Sequence, residues 1–435
     1  MHTILFINNY YILNFLITYK RMLKRSFREL TKNPLWLKVA SLSLILFFTF
    51  LADAILSYWV PNFLEVTLKN TSLVGLVMGF SSVIGLLADL ILPQVIKGVT
   101  VRKLVLLSIV TSFIFALTLL WATWTPFIIL LLMSMAVWGI YYEFLGFATQ
   151  QFVADSTPVK FHTAAWGIIG VFKSAAYFLG PILAGNFLSR GTEFPLYVSL
   201  LFLLISYAFL LTYRKHHDRP ISVKIEEVNL VREFEHWATL FSHVWPVVVM
   251  SLMMGIIDAS FWTVGAIWNE VLAERHWLGG MFLSFYILPS LFVGFIVAKW
   301  GVYKGKKKTA EKFLLLSGIL FAVLGIYEGV VWQVMIVLFA SIVLSLVYPL
   351  VDGVYSDITA RMGRERKHMI GLSNSTMSVA YIIGPPLSGF IASLVGNQNT
   401  FVVLGISTAL IATILLFVTP KKLLLPQEEI NLWKD

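Results

Sequence analysis

The chain has 435 residues, 58% of them hydrophobic and 13% charged, with a formal charge of +10 and a mean hydropathy of +0.82. That is too little polar surface to cover soluble cores of this size, so lipid must be the solvent for most of the chain. The absence of cysteine excludes disulfides, thiolate metal sites and cysteine nucleophiles. The basic residues stand in short blocks between apolar spans, which is a topology signal rather than a nucleic-acid surface.

Residues 1–33 open with an apolar stretch, Ile4–Tyr19, that contains Asn8, Asn9 and Asn14 and is shorter than the ~20 residues a spanning helix needs. Basic residues follow it instead of preceding it, unlike a signal peptide. We read 1–21 as an interfacial segment or an over-long start, with Met22 opening a more usual cytoplasmic terminus. Twelve spans are then predicted, at 36–62, 71–94, 102–122, 126–153, 163–188, 194–213, 243–269, 277–299, 311–330, 333–357, 369–395 and 399–419. Unpaired backbone amides are excluded from hydrocarbon, and the length of the runs without two-residue alternation selects helices over a barrel. Of the 33 Lys and Arg residues, 29 fall on one side of these spans, which predicts two cytoplasmic termini in a multi-pass protein of the plasma membrane.

The predicted fold is therefore an all-α membrane protein of two six-helix halves, 34–213 and 243–420, with a linker at 214–242 and a tail at 421–435. In the linker, Ile225, Val228, Val231, Phe234, Ala238 and Phe241 recur at helical spacing among Glu226, Glu227, Glu233 and Glu235. That pattern predicts an amphipathic helix at the cytoplasmic interface, or a solvated tether.

The two halves echo each other. AYFLGPILAG at Ala176–Gly185 returns as AYIIGPPLSG at Ala380–Gly389, six of ten positions identical at an offset of 204, and Gly167 matches Gly371. Asp53 precedes Glu65 by twelve residues in the first span, as Asp258 precedes Glu270 in the seventh, a separation of about 18 Å along a helix. Each half thus holds one acid near mid-depth and one near the outer mouth. Gly180-Pro181 and Gly384-Pro385 are expected to loosen their helices and let neighbours approach closely.

Over residues 34–420 the chain resembles the major facilitator superfamily, closest in motif to its 12-helix drug:proton antiporter-like branch. Gly167, Ala176, Gly180, Pro181, Ala184 and Gly185 resemble the family's antiporter motif, with alanine at two of six marked positions. Gly85, Leu87, Ala88 and Asp89 resemble its signature between the second and third spans, after which Leu90–Pro93 replace the charged turn. The second copy keeps Gly294, Gly301 and Lys306–Lys308, with Lys299 where an acid might stand. The fourth-span arginine of many drug antiporters would fall at Met135 and is absent. The resemblance implies a rocker-switch transporter, a central cavity faced by Asp53 and Asp258, and a conformational latch at Asp89.

Charges inside spans cost roughly 2.5–3.5 kcal/mol each on insertion scales, so five of them must face a cavity or one another. These are Asp53, Glu143, Lys173, Asp258 and Asp352. Asp53 and Asp258 are candidates to carry a coupling proton. Glu143 and Lys173 suggest a buried ion pair, or a lysine that reaches for the interface; Asp352 suggests a gate contact. Trp59, Tyr142, Tyr177, Trp262 and Tyr381 lie at matching depths, and aromatic faces beside carboxylates suit amphipathic or cationic molecules.

No nucleophile–base pair stands in the spans, so an enzyme is excluded, and GVYKGKKKT at Gly301–Thr309 lacks the spacing of a phosphate loop. The eight histidines fall in loops or near span ends, which argues against a metal or a histidine relay at mid-membrane. No metal, cofactor or nucleic acid is expected. The expected partners are the bilayer, a small-molecule substrate and protons, with the chain acting as a monomer. Proton-coupled export of small amphipathic or cationic molecules, an uptake symporter for a sugar, nucleoside or organic acid, and a non-transporting sensor stay open as functions.

Overall fold

The computed structural model describes residues 34–95, 99–157, 162–212, 230–293, 305–362, 365–420 and 423–433. The first half runs through α1 (Pro34–Leu68), α2 (Thr71–Val95), α3 (Val101–Trp124), α4 (Ile128–Ser156), α5 (His162–Leu188) and α6 (Phe194–Thr212). The second runs through α7 (Leu230–Ser260), a π-turn (Phe261–Gly265), α8 (Ala266–Arg275), a 3-10 turn (Trp277–Met281) and α9 (Phe282–Ile287). It continues with α10 (Lys306–Val323), α11 (Val330–Arg361), α12 (Arg366–Val395) and α13 (Asn397–Val418), and α14 (Gln427–Leu432) is the last described helix. No strand occurs among the described residues.

Each half has its own core. Leu46, Leu56, Phe115 and Phe152 are central to one, and Val247, Phe261, Phe321 and Leu344 to the other. Outward the pattern inverts: Leu76, Ile129, Leu410 and Phe417 are each more than half exposed. A belt of that kind is stable against lipid and not against water. Eleven described helices are long and apolar enough to cross a bilayer, and Trp277–Val293, at the place of the eighth span, is a shorter apolar segment.

Three boundaries depart from the sequence reading. The eighth span, expected as one helix over 277–299, is a 3-10 turn, a short helix and a break at Leu288-Pro289, with 294–304 outside the described residues. Pro289 has no N–H for the helix ladder and explains the break. The amphipathic segment is no separate element from Leu230 onward, since α7 runs unbroken from there into the seventh span. Phe234, Ala238 and Phe241 form its exposed side while His236, Leu240 and Val244 are buried. Lastly, α1 extends to Leu68 and, at 35 residues, is about 52 Å long, more than the ~30 Å hydrocarbon layer. The expectations for residues 1–33 and 214–229 lie outside the described residues.

Candidate functional site

A cavity of 630 Å³ lies between the halves, lined by Tyr142, Glu143, Lys173 and Tyr177 from one and by Asp258, Trp262, Tyr286 and Tyr381 from the other. Serine hydroxyls, among them Ser57, Ser82, Ser174 and Ser378, complete a wall that mixes polar and aromatic surface.

The repeated decapeptide builds the two sides of this cavity in the same way. On α5, Tyr177 donates its hydroxyl to Asp53 Oδ2 on α1; on α12, Tyr381 donates to Asp258 Oδ2 on α7. One turn later Gly180 lies against Ala54, and Gly384 lies against Ala259, each alanine being the residue after the aspartate. A Cβ at either glycine would overlap that alanine, so glycine sets the helix–helix distance that lets the tyrosine reach. Pro181 and Pro385 lack the N–H that would bond the carbonyl four residues earlier, which belongs to the same two tyrosines.

The remaining partners differ. Asp53 is fully buried and also accepts from Trp138 Nε1 at 2.8 Å and Tyr142 at 2.9 Å, both on α4. Asp258 accepts from Tyr286 at 2.8 Å and is itself part of the cavity wall. The π-turn begins three residues after Asp258. Its Phe261 stacks on Tyr286, with centroids 3.8 Å apart, and its Trp262 meets Tyr177 edge-on at 5.3 Å. Single π-turns of this kind recur at functional sites.

Lys173, one turn before Tyr177, holds its ammonium 5.7 Å from the Phe50 ring centroid and 5.8 Å from that of Tyr177. It lines the same cavity as Asp258. No carboxylate lies within 4 Å of it among the described ion pairs, so the Glu143–Lys173 pair expected from sequence is not formed. Glu143 faces α2 instead, where its Oε1 lies against Gly85.

Beyond the cavity, on the side of the short charge-poor loops, the halves are locked together. The Tyr58 hydroxyl on α1 donates to Glu270 Oε1 at 2.6 Å and accepts from Asn269 Nδ2 at 2.7 Å, both on α8, and Asn62 donates to the Ala266 carbonyl at 3.2 Å. At the same level α2 and α12 cross backbone to backbone, Gly75 against Pro385 and Gly389 against Thr71. A further link joins α5 and α9, from Ser284 Oγ to the Phe178 carbonyl at 3.0 Å.

The major facilitator superfamily model matches residues 42–364 and again 309–434. The chain belongs to the Major Facilitator Superfamily. Its fold matches the human organic anion transporter MFSD10 (TM-score 0.60, 17% identity, covering 88% of this chain and 100% of that one). It matches a POT family transporter in complex with 5-aminolevulinic acid (0.68, 13%, 88% and 96%) and a bacterial homologue of the human lysosomal transporter Spinster in an inward-facing, unoccupied conformation (0.67, 12%, 89% and 97%). No curated protein matches the sequence. The chain is thus a multi-pass membrane transporter and not an enzyme.

Within this superfamily fold the predicted site residues separate. Tyr142, Tyr177, Trp262 and Tyr381 line the cavity, with Glu143, Lys173 and Asp258. Trp59 does not: it is 1% exposed in the core of its half and donates Nε1 to the Thr192 carbonyl at 2.6 Å. Asp53 stands behind aromatics instead of facing the cavity directly. Asp352 is exposed in a separate hollow with Tyr355, Ser373 and Asn374. Gly167 meets nothing within 4 Å, and Gly185 makes ordinary contacts with Tyr58 and Glu270, so neither sets a close approach. Sequence reasoning missed Trp138 and Tyr286 as partners of the two acids. Lys307 and Lys308 reach the fully buried Glu311 at 2.7 and 3.1 Å, which makes this run a structural anchor of α10.

Proposed function

We propose that this transporter moves small organic anions or zwitterions with an apolar body, each together with a proton, by exposing the cavity alternately to the two membrane faces. The observation that carries the reading is Lys173. It is the one cation lining the cavity among the described residues, it has no close carboxylate partner, and it shares the cavity wall with Asp258. With Asp258 ionised, the lysine charge is offset across the cavity. A proton taken up by Asp258 removes that offset and leaves the ammonium to hold an anionic substrate, so proton and anion are bound together and released together.

The Tyr58–Glu270 lock closes one mouth, and the cavity lining continues through Gly85, Glu143 and Val293 towards the basic-loop face. With that face cytoplasmic, as the positive-inside rule assigns it, the conformation is inward-facing and the proton gradient drives uptake. Export of an amphipathic cation draws support from the Gly180-Pro181 motif and the aromatic wall. It fits the charges less well: an amine about 6 Å from the Lys173 ammonium meets a repulsion of about 3 kcal/mol at an effective dielectric of ~20.

The test is reconstitution into liposomes with an entrapped pH dye, followed by panels of organic acids, zwitterions and amines added outside. Acids or zwitterions should acidify the lumen, and Lys173→Gln should raise the substrate concentration required by about tenfold or more, the value of a lost charged hydrogen bond. Lumen pH responses confined to amines would establish the cation reading and overturn this one.

A further inference from the structure

At the basic-loop ends of α7 and α12 two Glu-x-x-His sequences meet: Glu233 and His236 on α7, and Glu365 and His368 at the start of α12. Residues three apart share a helix face, so each pair presents a carboxylate and an imidazole together. His236 and His368 are buried, at 6% and 2% exposure, and their rings meet edge to face with centroids 4.4 Å apart. Trp433 of the C-terminal segment stacks on His236 at 4.1 Å and covers the cluster. His368 Nδ1 lies 2.7 Å from Glu233 Oε2, and its Nε2 lies 3.2 Å from Glu365 Oε2.

A neutral imidazole offers one N–H and one lone pair. With a carboxylate at each nitrogen, His368 can satisfy one of them with its N–H and turns a lone pair towards the other. A metal ion in that position would use this lone pair, one from His236 and a Glu233 oxygen. Donor atoms of Glu233, His236 and His368 already lie within 4.8 Å of one another.

We propose that Glu233, His236 and His368 bind a divalent transition ion of the zinc class, with Glu365 as the partner that orients His368. Two nitrogens and one carboxylate oxygen suit that class better than magnesium or calcium. Bonds of about 2.0–2.2 Å set donor–donor distances near 3.3 Å, so small side-chain shifts close the set. A carboxylate on the far nitrogen of a ligating histidine is the usual second partner in such sites. The ion would pin the α7 extension, the start of α12 and the C-terminal segment together. Since α12 also makes the tight crossing with α2, occupancy would act on an element of the gate. The sequence reading expected no metal; this proposal departs from it, because the two Glu-x-x-His sequences lie 132 positions apart and meet only in the fold.

The test uses full-length protein in detergent, purified through a histidine-free tag, stripped with chelator and titrated with Zn²⁺ by calorimetry, with bound metal counted by mass spectrometry. One zinc per chain is expected. His236→Ala and His368→Ala should abolish it, Glu365→Gln should weaken it about 10–100-fold, and His276→Ala, remote from the cluster, should leave it unchanged. Glu365→Gln retains all three ligands and decides the matter if an alanine variant fails to fold. If the wild-type protein binds no zinc, or if His368→Ala or Glu365→Gln binds it as the wild type does, the proposal is wrong and the cluster is a hydrogen-bonded clasp.

Discussion

Tyr58→Phe should open the closed mouth. The ring is 1% exposed, so phenylalanine keeps its packing and removes the hydroxyl alone. That hydroxyl joins α1 to Glu270 and Asn269 of α8, at 2.6 and 2.7 Å, and both bonds exist only while the halves meet on this side. A hydrogen bond to a charged group is worth about 1.5–3 kcal/mol, so the closed-to-open ratio should fall about 10- to 150-fold. Because the chain has no cysteine, Ser378→Cys provides a lone thiol in the cavity wall. A membrane-impermeant thiol reagent applied from the charge-poor face should label it faster, by up to that factor, in the Tyr58→Phe background. Labelling at the unaltered rate would show that the hydroxyl holds nothing shut and would refute the gate assignment.

Gly180→Val and Gly384→Val should each lower the thermal midpoint and weaken transport, because the new side chain overlaps Ala54 or Ala259 and forces the helices apart by an overpacking cost of roughly 1–3 kcal/mol. Gly167→Val, with open space around it, should stay within about 0.5 kcal/mol of the wild type. Glu311→Gln should destabilise by about 3–5 kcal/mol, since Lys307 is left buried at 5% exposure without its counter-charge, and adding Lys307→Met should recover part of the loss. Unfolding curves in detergent check all of these.

The repeat was the most legible part of the chain. It foretold two equivalent halves, and the structure gives the physical reason for its spelling: tyrosine to reach the aspartate, glycine to seat on the following alanine, proline to free the tyrosine carbonyl. The partners of each acid were not legible. Trp138 and Tyr142 approach Asp53 from α4, and Tyr286 approaches Asp258 from α9, so no local spacing announces them. Opposite charge suggested Glu143 with Lys173, yet the rotation of α4 turns Glu143 towards Gly85 on α2. The broken eighth span did carry a signal, Pro289 within an apolar run, which a length-based reading overrides. The two Glu-x-x-His sequences are 132 positions apart, and only the packing of α12 on α7 brings them together.

The central claim, that Asp258 couples a proton to movement of the substrate, is tested most directly by comparing two modes of transport in liposomes. Exchange of labelled for unlabelled substrate needs no net proton movement, whereas accumulation against a gradient does. Asp258→Asn keeps the shape of the residue and a group that can still accept from Tyr381 and Tyr286. It should retain exchange and lose proton-driven accumulation. Accumulation that survives in Asp258→Asn would contradict the account and move the coupling step to another acid.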